Sequence, residues 1–219
     1  MPENKIESDK NTRNVSGIVI ELHYFPPVSY FKQISIAPQV FLEAFETFQK
    51  QTFRNRCEIV TPDGIEPLIV PVLKNNGNGY IRDVKIDYSQ RWQAVHERSI
   101  RSAYGKSPFF DFFIEDFCLV WSKRHSFLWD LNEDLLTLCL KMLRIKKEVH
   151  LSKGYFEAVD YHNQHILDLR GKIQPNVFNE YRQNGIKVYP QIFGNDFAKD
   201  VSIIDLLFCA ALDSSEILK

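Results

Sequence analysis

Three clusters of side chains in this 219-residue chain carry groups that could bind or react. The densest is KQTFRNR, where Lys50, Gln51, Arg54, Asn55 and Arg56 crowd cations and amides into one short run. Arginine forks match the paired oxygens of phosphate and carboxylate, so the run suits an anion pocket for a nucleotide-sugar or an acyl donor. A solvated loop whose amides satisfy exposed backbone would use the same residues. The second cluster centres on His96, four residues after Trp92 and four before Ile100, which places it on the apolar side of a helix. There it is either a general base tuned by burial or a core imidazole bonded to a backbone carbonyl. Tyr104, eight residues further on, shares that edge and offers a phenolic donor. The third is DYHNQHILD, with His162 and His165 flanked by Asp160 and Asp168. Two imidazoles and a carboxylate can hold a divalent metal, but no helical period fixes their geometry, so a surface turn is preferred and no metal or cofactor is expected. Cys57 opens an apolar strand with no histidine beside it, which argues against a nucleophile.

The usual signatures of chemistry are missing: no Walker loop, no dinucleotide-binding glycine motif, no nucleophile elbow, no H-E-x-x-H and no paired-cysteine zinc site. With only 9 glycines, the chain lacks the material for glycine-rich phosphate loops. Its 27 Lys and Arg against 28 Asp and Glu exclude nucleic-acid binding driven by bulk charge. Hydrophobic residues at 44% and charged residues at 25% fit an ordinary globular chain that buries roughly 70% of its unfolded surface without metals or disulfides. The four cysteines are widely spaced among apolar neighbours, as in reduced, buried thiols. No 18-residue apolar run exists to span a membrane, and the polar start MPENKIESDKNTRN lacks the core of a secretory signal. A cytoplasmic protein is expected.

The elements that must position these clusters follow from periodicity and turn chemistry. Residues 1–15 read as a disordered tail and 16–219 as one domain. Ile18–Leu22 reads as a strand stopped by Pro26-Pro27, Val28–Ala37 as a short helix ending before Pro38, and 39–48 as a further strand. Cys57–Pro62 and Ile65–Leu73 flank Asp63-Gly64 and predict a hairpin, with Pro67 and Pro71 marking a sheet edge. Tyr80–Ile86 reads as another strand. A helical middle follows: one helix capped by Ser89, one capped by Ser107 with Phe109, Phe112, Phe113 and Phe117 turned to the core, and one opened by an Asp130/Glu133 capping box. Strands are then expected at Glu148–Lys153 and in Lys187–Phe193, and Ser202 is expected to cap a last apolar helix. The fold class is α+β, a mixed sheet with a helical middle segment.

Taken in order, HYFPPVSYF, ETFQKQTFRNRCEI with the following DG and LIVPV, HERSIRSAYGKSPFF and VSIIDLLF resemble the motifs of the WbqC-like protein family. The likeness spans about residues 18–208, and its specificity lies in four motifs keeping their order. Position by position, it marks Tyr24, Pro26 and Tyr30; Lys50, Gln51, Asn55 and Arg56; His96, Ala103, Tyr104, Pro108, Phe109 and Phe110; and Ser202, Asp205 and Leu206. Family members often continue the last motif with an acidic-glycine-proline stretch, where this chain reads CAALDSS.

The resemblance implies a bacterial protein linked to O-antigen and other surface-polysaccharide synthesis. It also implies a transferase that adds an acyl or aminoacyl group to an activated sugar. His96 would then deprotonate a sugar amine or hydroxyl, with Tyr104 beside it, while Lys50 and Arg56 hold the donor's phosphates. The competing expectation is a non-catalytic scaffold that meets partners through exposed phenylalanines. Partners on the first reading are a small-molecule substrate, with neither nucleic acid nor membrane span, and homo-oligomerisation is left open. Because crevices form where loops diverge at strand ends, Tyr24, Asn55, Arg56, His96 and Tyr104 are expected to line one concave site.

Overall fold

The computed structural model describes residues 15–74, 79–155 and 165–219, apart from Asn176, Phe178, Asn184 and Asn195. It is α+β. Strands β1 (Gly17–Ile20), β2 (Val40–Leu42), β5 (Val149–Leu151) and β6 (Ile166–Asp168) form a four-stranded sheet in the order β5-β2-β1-β6. Every pairing in it is parallel. Between β1 and β2 runs helix α1 (Val28–Ile36), whose Tyr30, Phe31 and Ile34 are buried. Its end is set by Pro38, since Ala37 before it adopts an extended conformation.

A separate hairpin joins β3 (Arg56–Thr61) to β4 (Gly64–Ile69). Asp63-Gly64 signals this hairpin correctly but not its turn. The loop residues are Pro62 and Asp63, and proline at the first position excludes the type I′ turn that an Asp-Gly pair favours. Gly64, the first paired residue, takes the positive φ of 115°. On β4, Pro67 sits opposite Glu58 on a strand exposed along most of its length, the edge position a proline tolerates.

Helices α2 (Trp92–Tyr104), α3 (Phe110–Ser122) and α4 (Leu128–Met142) make the middle. The α2 face is the one its spacing predicts: Trp92, His96, Ile100, Ala103 and Tyr104 are buried. The helix starts differ from expectation, each for a local reason. Ser89 closes a turn on Asp87, and α2 begins three residues later. Ser107 donates its amide and its hydroxyl to the Tyr104 carbonyl, so it ends α2 and does not open α3. With α3 starting at Phe110, its buried stripe is Phe110, Ile114, Phe117, Val120 and Trp121, and Phe112 stands 74% exposed. No capping box opens α4; the Val84 carbonyl accepts the Leu128 amide instead.

Two expected strands are absent. Residues 80–86 hold a 3₁₀ turn (Ile81–Asp83), because Tyr80, Lys85 and Ile86 bridge to three different segments and never to one partner for long. Within Lys187–Phe193, Pro190 lacks an amide, and side-chain bonds from Tyr189 and Gln191 to Asp205 anchor the segment. A short α5 (Glu180–Gln183) precedes α6 (Ile203–Ala210) and α7 (Ser214–Ile217). Ser202 does cap α6, accepting from the Ile204 amide. The main apolar core runs from Ile18 to Leu218 and takes in sheet, hairpin and all the long helices, and Val19, Ile166 and Phe41 form a small second cluster. The cysteines are free; Cys57, Cys139 and Cys209 are buried and Cys118 is half-buried. Among the described residues no helix is long and apolar enough to cross a membrane.

Candidate functional site

Parallel pairing puts the carboxyl ends of all four strands at one edge of the sheet. The chain leaving β1 carries Glu21 and His23, that leaving β2 carries Glu43 and Glu46, and that leaving β6 carries Arg170 just after Asp168. Such an edge is where ligands of parallel-sheet proteins bind, because diverging loops open a crevice there. A cleft of about 560 Å³ opens at this edge, with Glu46, Arg54, Asp168, Arg170, Tyr80 and Tyr155 in its walls, while Glu21, His23 and Glu43 are fully buried and do not line it. That volume is in the range of small-molecule sites.

Beneath the cleft the charges are buried and closely spaced. Arg54, 1% exposed, grips Glu46 with its Nε at 2.7 Å and its Nη2, and Nη2 also lies 3.7 Å from Glu21 Oε1. Glu21 Oε1 accepts the Gly171 amide at 3.0 Å. His23 Nε2 stands 3.3 Å from that same oxygen, off the line a hydrogen bond requires. Arg170 forks onto Asp168 at 3.0 and 3.1 Å, reaches Glu43 at 3.0 Å and lies over the Tyr155 ring at 4.5 Å. Among the described residues nine buried side-chain atoms have no hydrogen-bond partner, and four of them, Glu21 Oε2, both His23 ring nitrogens and Arg54 Nη1, fall in this cluster. Buried polar groups are normally satisfied, so four orphans in one contiguous cluster need a reason.

The titration of these groups follows from burial first. Burial pushes the His23 imidazole down, against the pull of Glu21, so it is neutral at neutral pH. Burial also raises the Glu46 carboxyl, with the Glu21 and Glu43 charges adding to it and the Arg54 bonds opposing. Burial disfavours the Glu21 charge as well, yet with the Arg54 guanidinium beside it the carboxyl is held below its ordinary value.

The residues marked by the sequence fall in two other places. Lys50, Gln51, Asn55 and Arg56 share a smaller cleft of about 250 Å³ with Phe48 and Ile69. Its floor is tied down: Asn55 Nδ2 donates to the Val70 carbonyl at 2.9 Å and Arg56 Nη2 to Glu58 at 3.1 Å. Gln51 takes a positive φ of 60° in the turn that begins it. Segment 46–56 is therefore a partition, with Glu46, Thr47, Gln49 and Arg54 facing the strand-end cleft and Phe48, Lys50, Gln51, Asn55 and Arg56 facing the smaller one.

Tyr24, His96 and Tyr104 lie in the core and line neither cleft. His96 Nε2 is 3.1 Å from the Ile69 carbonyl, which can only accept, so Nε2 carries the proton. Nδ1 then accepts from Tyr24 OH at 2.8 Å, and Tyr24 OH accepts from Trp121 Nε1 at 3.2 Å. This ring is a fully bonded neutral imidazole, and its burial pushes the pKa down to about 4. Tyr104 OH accepts the Val60 amide at 2.9 Å. Both side chains brace the β3–β4 hairpin from below, through Ile69 and Val60.

His162 and Asp160 lie outside the described residues, while Asp168 is paired with Arg170. Among the described residues no group of three His, Cys, Asp or Glu stands close enough to hold a metal ion. A further cleft of about 450 Å³ between α2 and α3, lined by Arg91, Glu97, Cys118 and Arg124, contains none of the buried orphan atoms.

The fold and this edge define an α+β protein with a charged crevice at the carboxyl ends of a parallel sheet. The chain belongs to the WbqC-like protein family, whose model matches residues 22–178 and so spans β1's exit, the partition and both clefts' walls up to Gln174. It is 24% identical to the uncharacterized protein Rv1507c of Mycobacterium tuberculosis strain H37Rv, over 92% of this chain and 96% of that one. No solved structure matches it significantly.

Proposed function

We propose that this protein is a transferase that adds an acyl or aminoacyl group to an activated sugar, in the synthesis of a surface polysaccharide, and that the strand-end cleft is where it does so. The observation that carries this reading is the cleft itself: a crevice at the position parallel sheets use for ligands, floored by charged groups whose bonding is incomplete. A purely structural network would have no use for orphan donors beside an opening.

In the transfer step the acceptor's amine or hydroxyl attacks the donor's carbonyl carbon. The new C–N or C–O bond forms as the bond to the leaving thiolate or phosphate breaks. The proton released by the acceptor passes to Glu46, whose raised affinity for a proton suits a base. Arg54 then faces the charge that develops on the carbonyl oxygen. The smaller cleft, with Lys50 and Arg56, receives the anionic part of the donor. His96, Tyr104 and Tyr24 position its floor through the hairpin.

The test is calorimetric titration of the intact protein with nucleotide-sugars and with acyl-coenzyme A thioesters, followed by product analysis by mass spectrometry. The expected result is binding of one member of each class, with transfer by the Arg54→Gln variant at least roughly tenfold slower. Failure of both classes to bind would favour the scaffold reading. The exposed Phe112 and Leu119 on one helix would then be the first surface to probe.

A further inference from the structure

The cleft of about 450 Å³ between α2 and α3 takes no part in the transfer step, yet two cations in its walls stand open. Arg91 lies at the start of α2 and Arg124 just past the end of α3, and both line the cleft with exposed side chains. Among the described residues neither guanidinium has a carboxylate partner or an acceptor for its N–H groups. The nearby acids are engaged elsewhere. Glu97, the carboxylate in the cleft wall, accepts from Arg101 Nε at 2.9 Å, while Asp134 takes Lys123 at 2.7 Å and His125 at 2.8 Å. No acidic residue stands in the first turn of α2. Arg124 is also held in place. Its backbone takes a left-handed φ of 51°, uncommon for a residue other than glycine, and its guanidinium lies 4.8 Å over the Tyr88 ring. Tyr88 is pinned in turn by its hydroxyl, which donates to the His125 carbonyl at 2.9 Å. Gln93 Nε2 donates to the Trp121 carbonyl at 2.6 Å and fastens the two cleft walls to each other. A guanidinium with one face on a ring keeps its donors at its edge, so the fork costs little further ordering when an anion arrives.

We infer that the α2–α3 cleft binds a phosphate ester of small-molecule size, with Arg124 and Arg91 on the phosphate oxygens. Two guanidiniums bring two positive charges. A phosphate monoester answers with close to two negative charges at neutral pH and three oxygens to share between two forks. A carboxylate has one charge and two oxygens, which a single fork already satisfies. The volume of about 450 Å³ is in the range of small-molecule sites, so the organic part of an ester has room beside its phosphate. This site shares no lining residue with the strand-end cleft or the smaller cleft, and it stands whether or not the transferase reading does. Cys118 makes it observable: this thiol is half-buried in the cleft wall, whereas Cys57, Cys139 and Cys209 are buried.

Titration calorimetry of the full chain with adenosine monophosphate and glucose 6-phosphate, against inorganic phosphate, adenosine and glucose, reads the ligand class. The expected result is an ester bound roughly tenfold or more tighter than inorganic phosphate, with no binding of the two neutral compounds. Arg124→Gln and Arg91→Gln should each weaken the ester about tenfold. Arg98→Gln, at an exposed arginine of α2 outside the cleft, should change nothing. The bound ester should also slow alkylation of Cys118 by iodoacetamide several-fold, followed by mass spectrometry. Circular dichroism checks that the variants fold, and Arg91→Gln decides the point should Arg124→Gln not do so. Neither ester binding at about 10 mM, inorganic phosphate binding as tightly as the esters, or unchanged affinity in both arginine variants overturns the inference. The smaller cleft also offers cations, Lys50 and Arg56, so Arg56→Gln is the control. Ester binding lost in Arg56→Gln but kept in Arg124→Gln, with Cys118 unprotected, would move the phosphate to the smaller cleft and overturn this site alone. Ester binding that depends on Arg124, without acyl transfer from any donor, would defeat the transferase reading and leave this site standing.

Discussion

Two buried charge networks both pack against Phe53, and they are built to different standards. In one, Asp200 accepts the Ser29 amide at 2.8 Å, the Ser29 hydroxyl at 2.9 Å and Arg182 Nε at 2.6 Å. Arg182 spends its remaining donors on the carbonyls of Gln174, Pro175 and Asp200, and lies over the Phe53 ring at 5.1 Å. No atom of that pair is left over among the described residues. In the other, with His23 5.7 Å from the same ring, the Glu21–His23–Arg54 group leaves four polar atoms unpaired. Burial is equal, so burial cannot explain the difference. The closed network ties α1, α5 and the approach to α6 together, whereas the open one adjoins a cleft. Unspent bonding capacity next to an opening is available to a ligand, whereas the closed network has none to offer.

The largest effect that could break this comparison is loss of the closed network. Arg182→Met should strip Asp200 of its charge partner and leave a carboxylate buried, destabilising by about 3–5 kcal/mol in urea unfolding. A loss under about 1 kcal/mol would show that full bonding does not distinguish a structural network here.

The Tyr24–His96 chain is a third buried network and, like the Asp200 one, complete. Its imidazole is neutral when folded, with a pKa pushed by burial from 6.5 to about 4. Below pH 6.5 the unfolded chain takes up a proton that the folded chain refuses, so this contribution to stability is present above pH 6.5 and lost between there and about pH 4. At about 1.4 kcal/mol per pH unit the loss comes to roughly 3 kcal/mol. Asp200 works in the opposite sense, its pKa raised by burial against Arg182 to about 6, and the wild-type curve is the sum of both. The difference between wild type and His96→Gln isolates the histidine. Equal acid sensitivity in the two would mean that His96 is not held neutral.

Sharpening the other side of the comparison takes a smaller change. In Glu21→Gln the new side chain retains a carbonyl for the Gly171 amide and removes a buried charge whose second oxygen has no partner. Stability should move by about 1 kcal/mol or less in either direction, well short of the Arg182 effect. A loss as large as that of Arg182→Met would place Glu21 among the structural charges.

How far these networks could be read from sequence depends on whether their signal is local. Fold class, the hairpin and the Ser202 cap were legible because turn chemistry and capping act within a few residues. The stripe of α2 was legible because a helix repeats. Phe112 was misplaced because the choice of stripe on α3 rests on where the helix starts, and Ser107 had already been used to end α2. Residues 80–86 have strand composition but no continuous partner, which only the fold decides. The run KQTFRNR stood out as dense in donors, yet nothing local says that Arg54 turns to one cleft and Arg56 to the other. Glu21 and His23 lie in a short non-repeating exit from β1, and their meeting with Arg54 spans more than thirty residues of chain. That long-range meeting had no sequence signal except position: polar residues directly after an apolar strand, at the end where parallel sheets bind.

The smallest expected effect supplies the baseline for all of these. Arg101 carries as many charged contacts as Arg54 does, with Glu97 and Glu115 both at 2.9 Å, but its side chain is 40% exposed. Water solvates the three groups nearly as well apart as together, and ordering long side chains offsets much of the attraction. Arg101→Ala should therefore change stability by about 0.2–1 kcal/mol, and added salt should shrink even that. Carboxylates around a guanidinium thus have three outcomes by environment: near-neutral in water, strongly structural where every bond is made, and available to a ligand where bonds are left open. If Arg101→Ala instead matched Arg182→Met, contact number and not solvation would govern these clusters, and the contrast between the two networks at Phe53 would lose its meaning.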